Sequence, residues 1–147
     1  MEGISLKLRN SAKAIILNNN SVLVTKHHDE SGIFYLLPGG GQEPGEKLTE
    51  CLIRECIEET GYEIEVKELL FVRECFLDKD IHRVEFIFKG EIGRITEITE
   101  MDNGQLGIEW LDLDNILNEP LFPAELRKLI ESHNKGQREK TYLGEIV

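Results

Sequence analysis

The sequence predicts an α/β fold in which helices cover both faces of a mixed β-sheet, an α/β/α sandwich, built as one domain over residues 1–147. Three observations lead there. Apolar runs rich in branched residues recur at strand length, helix-like stretches lie between and after them, and no internal repeat or linker-like composition divides the chain.

Taken in order, Ala12 to Leu17 and Ser21 to Lys26 are apolar runs divided by Asn18-Asn19-Asn20, the signature of a hairpin. Ile33 to Leu37 is a short strand feeding Leu37-Pro38-Gly39-Gly40-Gly41, where successive glycines let the backbone approach a ligand with no Cβ in the way. A turn at Glu43-Pro44-Gly45-Glu46 leads into a helix from about Lys47, and Gly61 stops it as a C-cap residue. Glu63 to Leu77 reads as a long, bent strand, Asp78-Lys79-Asp80 as a turn and Ile81 to Ile92 as the returning strand. Alternation puts Val84, Phe86 and Phe88 on one face of that strand and Arg83, Glu85 and Ile87 on the other. Gly93 to Gly107 is polar and turn-rich, and Ile108 to Leu111 gives a further strand. Asp112 to Leu117 and Pro123 to Ser132 read as helices, the second amphipathic through Leu126, Leu129 and Ile130. His133 to Lys140 is expected to be mobile, and Tyr142 to Ile146 to return as an edge strand.

Composition excludes several classes. A net charge of −11 argues against broad binding to DNA or RNA backbones, whose affinity comes mainly from Lys and Arg, while a small phosphorylated ligand bridged by cations stays compatible. No apolar run approaches the length of a membrane span, and the start, MEGISLKLRN, lacks the apolar core of a secretory signal. Cys51, Cys56 and Cys75 are an odd count with no zinc spacing, and Cys51 and Cys56 point in different directions on one helix. Reduced thiols in a cytoplasmic protein are the simplest account.

The chemistry concentrates on the helix after the glycine loop. Residues three and four apart share a helix face, so Glu55 sits beside both Glu58 and Glu59, and the three occupy one stripe. Like charges at this spacing repel, and a hard cation with oxygen ligands would offset the repulsion. Arg54 is placed to orient one of the carboxylates. A Glu-rich helix alone is more often simply solvated; the glycine loop directly before this one shifts the balance toward a metal site.

With its spacing, this stretch resembles the Nudix box, G-x5-E-x7-R-E-U-x-E-E-x-G-U with U a bulky apolar residue, matched here at Gly40, Glu46, Arg54, Glu55, Glu58, Glu59 and Gly61, with Tyr62 in the last U position. One position departs: Cys56 stands in the first U, where a larger aliphatic residue is typical, and local repacking is expected there. Cys51 stands where the family often has Ala.

The resemblance implies a Nudix-type α/β/α sandwich and an enzyme that hydrolyses a nucleoside diphosphate linked to a further moiety X. It places Mg²⁺, with Mn²⁺ as a possible substitute, on Glu55, Glu58 and Glu59 with the Gly40 carbonyl, and gives Arg54 the task of holding a carboxylate. Glu46 is expected to support the helix start. For the general base it leaves two options, Glu55 or an acid of the loop Glu97 to Asp102, with Glu55 preferred. ADP-ribose-like or sugar-nucleotide substrates are favoured. A nucleoside triphosphatase, a dinucleoside polyphosphate hydrolase, an RNA 5′-end pyrophosphohydrolase and a non-catalytic nucleotide-binding regulator stay open, and a homodimer is possible because many relatives are dimers. Candidate substrate contacts are Arg83 and His82 on the returning strand, Tyr35 with its neighbour Phe34 for stacking on a base, and His28 with His27 for phosphate. For each the plainer alternative is a core role, a cross-strand pair with Glu74 or Glu85, or an exposed loop position. Arg73 carries the same ambiguity, and Trp110 reads as a core anchor.

Overall fold

The computed structural model describes residues 6–76, 80–95, 105–137 and 140–147. Eight strands carry the fold: β1 Lys7–Asn18, β2 Ser21–Asp29, β3 Gly32–Leu36, β4 Gly39–Gly41, β5 Tyr62–Cys75, β6 Ile81–Ile95, β7 Gln105–Asp112 and β8 Tyr142–Glu145. The helices are α1 Leu48–Thr60, a 3₁₀ helix at Leu113–Asn118 and α2 Glu125–Asn134. The turn between β1 and β2 explains its asparagines: Asn19 and Asn20 both have positive φ, 48° and 61°, which Asn tolerates better than most residues.

The sheet is mixed. β1 and β6 run parallel, as do β5 and β8, and the other pairs are antiparallel. β1 meets β2 only at Leu17 and Asn18, because β4 pairs with Ser11 to Lys13 and β2 turns away to lie between β3 and β7. Two sheet halves therefore diverge from the β1–β2 hairpin, β4-β1-β6-β5-β8 on one side and β3-β2-β7 on the other, and the chain crosses between them at the glycine loop.

Each face is covered. On one, Cys51, Leu52 and Cys56 of α1 bury against Ala12, Ala14, Ile16, Leu23 and Phe88, and the small alanines make room for the helix. On the other, Leu113, Ile116, Leu121, Leu126 and Ile130 close over Ile15, Val22, Val24, Phe71 and Ile87. The predicted alternation of β6 holds: Phe86 and Phe88 pack on the α1 side and Ile87 on the opposite side. Among the described residues no helix is long and apolar enough to cross a membrane.

Several expectations need correction. The glycine loop is itself a strand, β4, because three glycines without strand propensity are held by the free edge of β1. The helix expected over Asp112 to Leu117 is a 3₁₀ helix over Leu113–Asn118, capped by the Asp112 carboxylate accepting from the Asp114 N–H. His133 and Asn134 belong to α2, so the start of the stretch expected to be mobile is helical. The acidic loop Glu97 to Asp102 and most of the 78–80 turn lie outside the described residues.

Candidate active site

Glu55, Glu58 and Glu59 are carried by α1, which forms where apolar positions recur at helical spacing and ends at Gly61, in the left-handed region at φ 75° with its N–H on the Ile57 carbonyl. At its start, the Glu50 carboxylate accepts from the Lys47 N–H at 2.8 Å, as in a capping box. Arg54 is the hub of the polar face. Its Nε and one terminal nitrogen reach both oxygens of Glu46, at 3.2 and 2.7 Å, a bidentate pair. Its other terminal nitrogen donates to Glu55 at 3.0 Å and lies 3.6 Å from Glu58. The guanidinium thus holds two box carboxylates while being held by a third acid. Those same bonds from Arg54 lower the Glu46 pKa to about 2, and Glu46 in turn pushes the guanidinium pKa up. Glu46 also accepts from the Glu43 N–H, closing the turn before the helix. Its expected supporting role therefore extends to fixing Arg54.

The glycine loop is pressed against this face. A Cβ on Gly40 would lie 2.5 Å from the Glu55 carboxyl carbon, so the carboxylate occupies the volume a side chain would need. A Cβ on Gly39, at φ 136°, would meet the Ala12 carbonyl oxygen at 2.0 Å. The Gly39 N–H donates to Glu59 Oε1 at 2.7 Å, and Glu59 is 3% exposed, so this bond stitches the helix to the loop. The Cys51 thiol donates to the Gly40 carbonyl at 3.4 Å. Burial raises the Cys51 pKa to about 11, which keeps the thiol protonated and able to donate. From the other side the Lys13 ammonium donates to the Leu37 and Gly39 carbonyls, each at 3.3 Å.

The donor set is all oxygen: the carboxylates of Glu55, Glu58 and Glu59 and the second lone pair of the Gly40 carbonyl, which suits a hard divalent cation such as Mg²⁺ or Mn²⁺. Glu55 and Glu58 share one guanidinium nitrogen and so one neighbourhood, whereas Glu59 is turned beneath the loop. Among the described residues, no three His, Cys, Asp or Glu side chains are gathered as a ready ligand cluster.

Past Gly40 and Gly41 the two sheet halves open into a cleft of about 830 Å³, a size that takes a nucleotide. The charged lining of the cleft is Lys13 of β1, Arg73 of β5 and Arg83 of β6 together with the acids Asp29 and Glu85. Arg83 donates to the Ser11 hydroxyl at 3.1 Å, and Arg73 pairs with Glu85 at 2.9 Å, both of that pair about nine-tenths buried. The apolar lining includes Phe34 and Leu36 of β3 and Phe122 before α2. A parallel bridge between Tyr35 and Leu121 sets these side chains on one surface. The Arg127 guanidinium lies 5.1 Å from the centre of the Phe122 ring.

Of the expected substrate contacts, Arg83 lines the cleft and Tyr35, His82 and His28 do not. Neighbouring strand residues face opposite ways: Phe34 points to the cleft, and Tyr35 packs into the core, where burial raises its pKa. His82 is one residue from Arg83 and on the other face, 2.7 Å from Glu74 and stacked on Phe76. His28 is exposed near the end of β2, opposite Ile33, while His27 bonds Thr25 at 2.7 Å and stacks on Phe34. Trp110 packs with the core beside Tyr62, as expected. Lys13, Ser11 and Phe122 were not expected at the site; for Lys13 a signal existed, a single cation inside an otherwise apolar run.

A glycine strand laid on a glutamate-bearing helix thus borders a cleft that carries Lys13, Arg73 and Arg83. The chain belongs to the Nudix family: the family model described as NUDIX domain matches residues 7–132. It is similar to the nucleoside triphosphatase NudI of Enterobacter sp. (strain 638), 44% identical over 55 residues, a match spanning 35% of this chain and 39% of that relative. Among solved structures, a NUDIX hydrolase from Nitrosomonas europaea superimposes with a TM-score of 0.76 at 22% identity, covering 90% of this chain and 92% of that one. A UDP-X diphosphatase gives 0.72 at 20% identity, covering 95% and 69%.

Proposed function

We propose that this enzyme is a divalent-metal-dependent pyrophosphohydrolase acting on a nucleoside diphosphate linked to X. The observation that carries this reading is the junction at Gly40, where the acidic face of α1 meets the cleft that carries Lys13, Arg73 and Arg83. Mg²⁺ or Mn²⁺ would be held by Glu55 and Glu58 with the Gly40 carbonyl, and would neutralise the diphosphate and lower the pKa of a bound water. Glu59 belongs to the same set but is occupied in bracing the loop that presents the carbonyl.

The remaining chemistry falls to the protein. Arg83 and Lys13 receive the phosphates, and Phe34 and Phe122 offer an apolar surface to the base. A water attacks one phosphorus as the bridging P–O bond breaks, and Glu55 takes the proton released. Of the two carboxylates on Arg54, Glu55 is the more shielded, its side chain 13% exposed against 35% for Glu58. Arg54, fixed by Glu46, keeps that carboxylate aimed.

A second reading, hydrolysis of a nucleoside triphosphate, is favoured by the similarity to a nucleoside triphosphatase. The test is a phosphate-release screen over ADP-ribose, UDP-sugars, dinucleoside polyphosphates and nucleoside triphosphates with Mg²⁺ or Mn²⁺ and with chelator. Expected are cleavage of a nucleoside diphosphate derivative and its loss with chelator. Preference for triphosphates selects the second reading, and inactivity across the panel with both metals overturns both.

A further inference from the structure

Gln105 opens β7 and is 8% exposed. Its Nε2 donates to the Glu59 carbonyl at 2.9 Å and to the Gly107 carbonyl at 3.1 Å. Two carbonyl acceptors decide which end of the amide is nitrogen, since the flipped group would press its oxygen against two oxygens. That leaves Gln105 Oε1 shielded from solvent and without a hydrogen-bond partner among the described residues. A buried acceptor left unmet is destabilising, and an apolar side chain of similar length would avoid it. What the amide contributes is therefore its nitrogen.

The carbonyl it reaches is one of the last four of α1, which no intrahelical N–H can satisfy. The Ile57 carbonyl is met by the Gly61 N–H. At Glu59 the partner comes from another sheet half. The contact is made at a bulge: the β2–β7 register shifts between Lys26 and His27, and Gly107 has φ 150°. Bulges of this kind re-aim a side chain beside a site. Glu59 is consequently held twice, by its carboxylate to Gly39 and by its backbone carbonyl to β7.

We infer that Gln105 is a positioning residue for the hydrolysis: it fixes the end of α1 relative to β7, and so keeps Glu55 and Glu59 seated against Gly39 and Gly40. The inference rests on the proposed reaction. It requires no contact between Gln105 and substrate, so its removal acts on kcat and not on nucleotide binding. A displacement near 1 Å at catalytic groups is enough to cost on the order of 100-fold.

The test compares Gln105→Met with wild type on whichever substrate the screen identifies. The Met side chain keeps the volume, removes both donors and removes the unmet acceptor. Expected are a kcat at least tenfold lower, KM within twofold, a Tm lowered only modestly as the Glu59 and Gly107 carbonyls lose their donor while the unmet Oε1 is removed, and faster amide exchange at residues 57–60. A kcat within twofold of wild type overturns the inference, as does a kcat that falls only in step with Tm, which makes Gln105 a folding residue alone. Gln105→Leu, which likewise lacks a donor, is expected to lower kcat in the same way, and full activity in that variant equally overturns the inference. Wild type inactive on every substrate would instead sink the proposed function, so the two failures are distinct.

Discussion

Glu55, Glu58 and Glu59 come from five consecutive residues of one helix, whereas Lys13, Arg73 and Arg83 reach the cleft from three strands, β1, β5 and β6. The acidic side is ordered by local spacing and by one arginine that touches Glu46, Glu55 and Glu58. The cationic side exists only once β1, β5 and β6 are paired in register. In a chain of net charge −11, Lys13, Arg73 and Arg83 meet in one cleft beside Asp29 and Glu85, and bringing them together takes tertiary pairing. In the proposed reaction the difference separates two tasks: the local side would carry bond cleavage, and the assembled side recognition of what is cleaved.

That division is tested most severely at Glu55. Glu55→Gln keeps the shape beside Gly40 and lets an amide oxygen face Arg54, but it removes the proposed proton acceptor and one charge from the proposed metal ligands. The expected outcome is a kcat lower by about 100-fold or more with KM changed only a few-fold. Steady-state kinetics decides it; a large rise in KM with kcat preserved would move Glu55 from the reacting side of the comparison to the binding side.

The Arg73–Glu85 pair probes how the assembled side is held together. Both side chains are about 10% exposed, and Arg73 also donates to the Ile146 carbonyl. Arg73→Met strands the Glu85 carboxylate in a buried position and should cost about 3–5 kcal/mol of stability. Arg73→Met with Glu85→Leu removes both charges and should recover most of that loss. Urea unfolding of the single and double variants measures it, and equal destabilisation in both would show that Arg73 matters through packing and the Ile146 contact, not through a stranded charge.

The same contrast explains what could be read from the amino acids alone. Glu55, Glu58, Glu59 and Gly61 declare a helix and its acidic stripe through spacing, which needs no partner. Gly39 to Gly41 gave no strand signal, because their pairing is supplied by the exposed edge of β1 at Ser11 to Lys13. Phe34 and Tyr35 were known to face opposite ways, but which one meets the cleft depends on where β3 sits against β2 and Leu121. Likewise Arg83 and His82 exchange roles with a one-residue slip in the β1–β6 register, and local sequence does not encode that register. Gln105 gave no warning at all; its role arises from a bulge and a helix end far apart in the chain.

Arg83 sharpens the comparison from the recognition side, with the smallest expected effect of the three. It lines the cleft, donates to Ser11, and shares the lining with Phe34 and Phe122. If Arg83 binds a phosphate as proposed, removing that charged donor costs roughly 1.5–3 kcal/mol of binding, or about 10- to 100-fold. Arg83→Ala is therefore expected to raise KM by that factor while kcat stays within a few-fold, because no group on the acidic face of α1 moves with it. Rescue of KM by Arg83→Lys should be partial, since an ammonium replaces the charge but not the planar fork of donors. The opposite pattern, kcat falling with KM unchanged, would place Arg83 at the reacting phosphate and join the two sides into a single catalytic unit.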